Sequence, residues 1–92
     1  MKVQLHVRVK GSDRPVFLVR DIDLPFAPWV GLEIRNLTNK SSCLYEHTVE
    51  HVHWDANEQC FGVHLKADID DSGKTSQEIV DADYPPSWRK EK

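Results

Sequence analysis

The stretch from His47 to Lys66 constrains the fold most, because it reads as one β-hairpin. Two runs, Leu44 to Trp54 and Gln59 to Lys66, flank the turn Asp55-Ala56-Asn57-Glu58. A short loop there pairs Trp54 with Gln59, His53 with Cys60, Val52 with Phe61 and His51 with Gly62. This register sorts the hairpin into two faces. One carries Val52, Trp54, Phe61, Val63 and Leu65. The other carries His47, His51, His53, Cys60 and His64. The apolar face anchors an all-β reading. The imidazole face is the cluster whose residue types could carry chemistry.

The rest of the chain supports the same class. Val3, Leu5, Val7 and Val9 alternate with Lys2, Gln4, His6, Arg8 and Lys10, the period of a strand with one buried face. Gly11-Ser12-Asp13 supplies a turn. Pro15 opens a second strand, Val16 to Val19, which is apolar at both parities and should be covered on both sides. Alternation resumes at Ile22, Leu24 and Phe26, and again at Val30, Leu32 and Ile34. Between them, Pro25 and Pro28 hold the segment around Phe26 and Trp29 extended and stiff. Residues 36–42 read as a polar loop. A bulge near Val49-Glu50 reconciles the parity of Tyr45 and Val49 with that of Val52 and Trp54. Residues 67–83 hold six acids against one lysine. Thr75 or Ser76 can cap a short helix there, with Glu78 in its first turn, Ile79 and Val80 inward, and Pro85-Pro86 ending it. The prediction is a mainly β protein. About five strands form an antiparallel meander that coils into a small barrel or sandwich, followed by one short C-terminal helix.

The 92 residues form one β-rich domain, 1–92, with 67–92 as an acidic, less regular C-terminal segment. Hydrophobic content of 39% and charged content of 29% suit a globular chain rather than a disordered one. No apolar run nears the ~18 residues of a membrane span. Met1 to Leu5 enters an alternating strand without the continuous apolar stretch of a secretory signal. A cytoplasmic protein is therefore expected, with Cys43 and Cys60 as free thiols and the sequons at Asn36 and Asn39 unmodified. Net charge is −3. Residues 1–40 hold seven Lys or Arg against four acids, and residues 41–92 hold five against eleven. With no basic cluster beyond Arg89-Lys90, nucleic acid is not an expected partner.

Three function classes follow. His51, His53 and His64 with Cys60 are candidate zinc ligands, because cross-strand neighbours can converge and imidazole and thiolate suit that metal. The spacing matches no standard zinc signature, and a solvated histidine-rich face is the simpler account. Asp68 to Gly73 resembles the start of a calcium loop, but position twelve is Ile79 rather than a bidentate glutamate. Gly73-Lys74-Thr75 echoes a phosphate loop, but Asp68 stands where its first glycine belongs. Cys60 beside His53, with Glu50 or Asp55 nearby, has the inventory for nucleophilic catalysis. A hairpin face offers it no oxyanion hole, so no enzyme and no obligatory cofactor are predicted. The aromatic-proline patch of Phe26, Trp29, Tyr84 and Trp88 either plugs the ends of a small barrel or meets a protein, since Trp and Tyr dominate interface hot spots. The leading expectation is a non-enzymatic interaction module that binds a protein partner or itself as a homodimer. Zinc binding on the imidazole face is the alternative. An acidic inhibitor using Asp68 to Asp83 in a basic groove is a further one.

Overall fold

A computed structural model describes residues 1–35, 37, 47–66, 68–69 and 73–91. The strands are β1 (Lys2–Lys10), β2 (Val16–Asp23), β3 (Glu33–Ile34), β4 (His47–Asp55), β5 (Cys60–Leu65), β6 (Asp68–Ile69) and β7 (Arg89–Lys90); one helix, α1 (Ser76–Asp83), precedes β7. The polar loop read over 36–42 lies outside the described residues except for Leu37. So do Cys43, the start of the long strand at 44–46, and positions 70–72 of the acidic segment.

The mainly β class and the short helix hold. The strand order is β3-β4-β5-β1-β2-β7, in one curled sheet. β2 folds back antiparallel on β1, from Lys2 opposite Asp23 to Val9 opposite Val16. The chain then crosses to β3, and the β4–β5 hairpin brings β5 to the far edge of β1. Arriving by that route, β5 runs parallel to β1, with Val3, Gln4, Leu5 and His6 beside Phe61, Gly62, Val63 and His64. β6 continues along the same edge at Val9 and Lys10. The sheet is therefore mixed, and β1 is central. This is why every apolar residue of β1 is sealed: Val3, Leu5, Val7 and Val9 are all buried. The parallel pair is not foreseeable from alternation, which specifies faces but not neighbours.

The helix closes the apolar face. Thr75 caps it: its hydroxyl accepts from Glu78 N, and Glu78 Oε1 accepts from Thr75 N, a complete capping box. Ile79 is wholly buried and Val80 packs beside the core. Tyr84 is forced extended ahead of Pro85, and its N–H donates to Val80 O. The helix start is latched to the β1–β2 turn through Ser76, which is fully buried. Gly11 N donates to Ser76 Oγ at 2.9 Å, Ser76 Oγ donates to Arg14 O at 2.7 Å, and Ser76 N donates to Asp13 Oδ1 at 2.7 Å.

The hairpin is real, but its register differs by two residues from the one expected. Trp54 faces Phe61, His53 faces Gly62, and Asp55 faces Cys60. The turn slides because Asp55 Oδ1 accepts from Asn57 N and Glu58 N, and Gln59 takes the left-handed conformation at φ 52°. A slip of two preserves the side of every residue after the bulge. It also gives Trp54 an edge-to-face partner, Phe61, at 5.1 Å.

Candidate functional site

The face of the sheet opposite the core carries four imidazoles from three strands. His51 lies directly across from His64, and the parallel pairing sets His6 beside His64. The rings of His6 and His64 stack at 4.8 Å with planes 14° apart. His51, His53 and His64 form a triangle with centroids 5.3 to 5.9 Å apart. Gly62 makes room for it: a Cβ there would collide with Cε1 and Nε2 of His53, so that ring lies over bare backbone. Nε2 of His6 is 3.1 Å from Gln4 Oε1, and its Nδ1 is 3.5 Å from Glu91 Oε1.

Two of the expected members are elsewhere. The bulge falls between Val49 and His51, as parity requires. It leaves His47 on the core side, where it is buried with Nε2 3.3 Å from the Tyr84 hydroxyl. Cys60 is a free thiol, buried and opposite Asp55, two rows from His64. His6, which the sequence reading passed over as a wet residue of β1, takes a place in the cluster. Its parity was visible; its neighbour was not, because only the β1–β5 pairing brings it to His64. Among the described residues no group of three or more His, Cys, Asp or Glu is arranged to hold a metal ion. The stack of His6 on His64 turns those rings face to face rather than nitrogen to nitrogen.

Burial holds His6 and His64 below the ordinary imidazole value of 6.5, and neighbouring imidazoles push each further down; Glu91 opposes this in both. The folded chain therefore binds fewer protons at these two rings than the unfolded chain does. Their contribution to stability is complete above about pH 6.5 and is lost as pH falls from there through the depressed folded values. A urea midpoint measured from pH 7.5 to pH 5 is expected to fall less steeply in His6→Gln than in the wild type. Identical slopes would show that the stack carries no linkage.

The aromatic patch divides in two. Tyr84 and Trp88, expected as partner-binding residues, lie in the core at 5% and 6% exposure, their rings edge-to-face at 5.6 Å. Pro85-Pro86 ends the helix and turns the chain back onto β2, so these side chains point at the sheet. Trp88 Nε1 donates to Leu37 O at 2.8 Å, and Leu37 is itself a core residue inside the stretch read as polar. Phe26 and Trp29 are at the surface, 41% and 52% exposed, with rings 5.2 Å apart. Val30 beside them is 64% exposed, and Trp54 is 56% exposed although it lies on the apolar side of β4. The signal for Trp54 was its position as the last strand residue but one before the turn, where core cover runs out.

Among the described residues no helix is long and apolar enough to cross a membrane. The chain matches no protein-family model, no curated protein and no solved structure.

Proposed function

We propose that this chain is a non-enzymatic protein-interaction domain that binds its partner through Phe26, Trp29 and Val30. The observation that carries the reading is the exposure of three large apolar side chains on one short segment. Exposed apolar groups scattered singly need no explanation, but a contiguous stiff group does. Pro25 and Pro28 flank Phe26, and Pro28 directly precedes Trp29, so the backbone there is stiff and little ordering entropy is lost on contact. Its far end is pinned to the sheet: Gly31 N donates to Val49 O and Val49 N donates to Leu32 O. The near end is tied by Leu24 N, which donates to Met1 O at 2.8 Å. A rigid aromatic pair on a fixed loop is the form that interface hot spots take.

The double variant Phe26→Ser/Trp29→Ser tests this. Phe26 is 41% and Trp29 52% exposed, and neither belongs to the core, so the variant should keep the far-UV dichroism of the wild type and melt within a few degrees of it. A partner retained by the wild-type chain in affinity purification should bind the variant about 30-fold more weakly, the equivalent of ~2 kcal/mol at a hot spot. Equal retention by a folded variant would move the contact surface elsewhere.

A further inference from the structure

The outer edge of β4 presents a second contact surface. β3 and the residues before it occupy that edge only as far as Val49. From His51 to Asp55 β4 pairs with β5 on one side, and among the described residues no strand pairs with it on the other. An open strand edge exposes unpaired N–H and C=O groups and is a template for another strand. Such edges are guarded by charges, above all Lys, by Pro or by bulges; His47–Asp55 has no Lys or Pro, and its charges, Glu50 and Asp55, and its bulge at Val49/His51 leave Val52, His53 and Trp54 unguarded. Its exposed members include Trp54, which stands over half in solvent.

We infer that the occupant of this edge is β4 of a second copy, paired antiparallel about a two-fold axis at His53. The inference rests on the reading of the chain as an interaction domain. Directly opposed residues in an antiparallel pair point to the same side, so residues of like parity must meet if the apolar face of one copy is to continue into the other. An axis on any residue of the open edge keeps that rule, and only those at Val52, His53 and Trp54 pair more than one of its residues. An axis at Val52 sets the charge of Glu50 against Trp54 of the second copy. An axis at Trp54 sets Val52 against the turn residue Ala56. An axis at His53 keeps all five residues in the ladder. It places Val52 against Trp54 of the second copy on the apolar side and His51 against Asp55 of the second copy on the imidazole side, each pair occurring twice. The strand is thus complementary to itself in both hydrophobicity and charge. It also joins the two four-histidine faces into one surface. Five paired residues per copy make a contact smaller than a standard interface, in the class of weak, transient associations.

Sedimentation velocity on the full chain, from about 1 to about 400 µM, is the test. A concentration-dependent monomer–dimer equilibrium is expected. His51→Asp, which opposes two carboxylates at each end of the ladder, should weaken it roughly tenfold, and His51→Lys, which keeps a cation opposite Asp55 of the second copy, should preserve it. Trp54→Lys, which sets an ammonium against Val52 of the second copy on the apolar side, should leave monomer throughout. A wild-type chain that stays monomeric overturns the inference. So does a dimer indifferent to both His51→Asp and Trp54→Lys, which would use another face. The two readings fail separately: partner capture that needs Phe26 and Trp29 but survives His51→Asp and Trp54→Lys, in a chain that never dimerises, would leave the interaction domain standing without its β4 contact.

Discussion

Trp88→Ala is expected to cost about 3–5 kcal/mol of folding stability, against about 0.5 kcal/mol or less for Trp29→Ala. A domain of this length has only about 5–10 kcal/mol to lose, so the Trp88 variant should melt near ambient temperature. The difference lies wholly in surroundings. Trp88 is buried against Tyr84, and its indole N–H is satisfied by Leu37 O. The Arg20 guanidinium lies 6.0 Å from the ring centroid, within cation–π range. Truncation removes the ring and opens a cavity. It also leaves the Leu37 carbonyl without that donor. Trp29 is 52% exposed, lies outside the core and packs its ring 5.2 Å from that of Phe26. Paired urea titrations followed by far-UV dichroism would settle it. Equal midpoints for the two variants would mean that Trp88 is not the core residue described.

Gly11→Ala should be nearly as damaging, at about 2–4 kcal/mol. A Cβ on Gly11 would overlap the Lys74 carbonyl oxygen and sit 2.6 Å from both Ser76 N and Thr75 C. These are backbone atoms, so no rotamer change relieves the overlap. To admit the methyl group, the start of α1 must lift from the β1–β2 turn. That movement breaks the bonds from Gly11 N to Ser76 Oγ and from Ser12 N to Lys74 O, both 2.9 Å. It also strips Asp13 of the Ser76 donors that hold its carboxyl below the usual value. The Asp13 contribution is present above about pH 3.8 and is lost as pH falls through its depressed folded value. The variant should therefore lose part of the wild type's acid dependence as well as its stability. Thermal melts at pH 7 and pH 3 read both effects. A melting point within a degree or two of the wild type at pH 7 would sink this account of the latch.

The helix and its cap were legible because their cues are local: Thr75, Glu78 three residues on, and Pro85-Pro86 at the end. The bulge was legible because parity on β4 could not be kept without it. The same extra residue that saves Val49 for the core carries His47 inward with it. The hairpin register was missed by two residues because a side-chain bond from Asp55 and one left-handed residue, Gln59, decide where the turn closes. Pattern alone cannot see either, yet the faces survived, since a slip of two returns each side chain to its own side.

The candidate sites divide the same way. His51, His53 and His64 share a side by strand periodicity, and the sequence alone places them together. Cys60 shares their parity but sits at the turn end of the ladder, one row from His53 and two from His51 and His64, and His6 joins only through a pairing between segments more than fifty residues apart. The aromatic patch shows the limit most plainly. Phe26, Trp29, Tyr84 and Trp88 are alike in composition and in their neighbouring prolines, yet two face water and two are core.

The sequence by itself determined the β class, the two faces of each strand, the capped helix and the stiff Pro25–Pro28 segment, because each follows from backbone geometry within a few residues. Only the tertiary structure decided that β5 lies parallel to β1, that four histidines share one surface, and that Trp88 is buried while Trp29 and Trp54 are not. Those outcomes depend on which distant segment covers which side chain, and burial is a property of neighbours rather than of residue type.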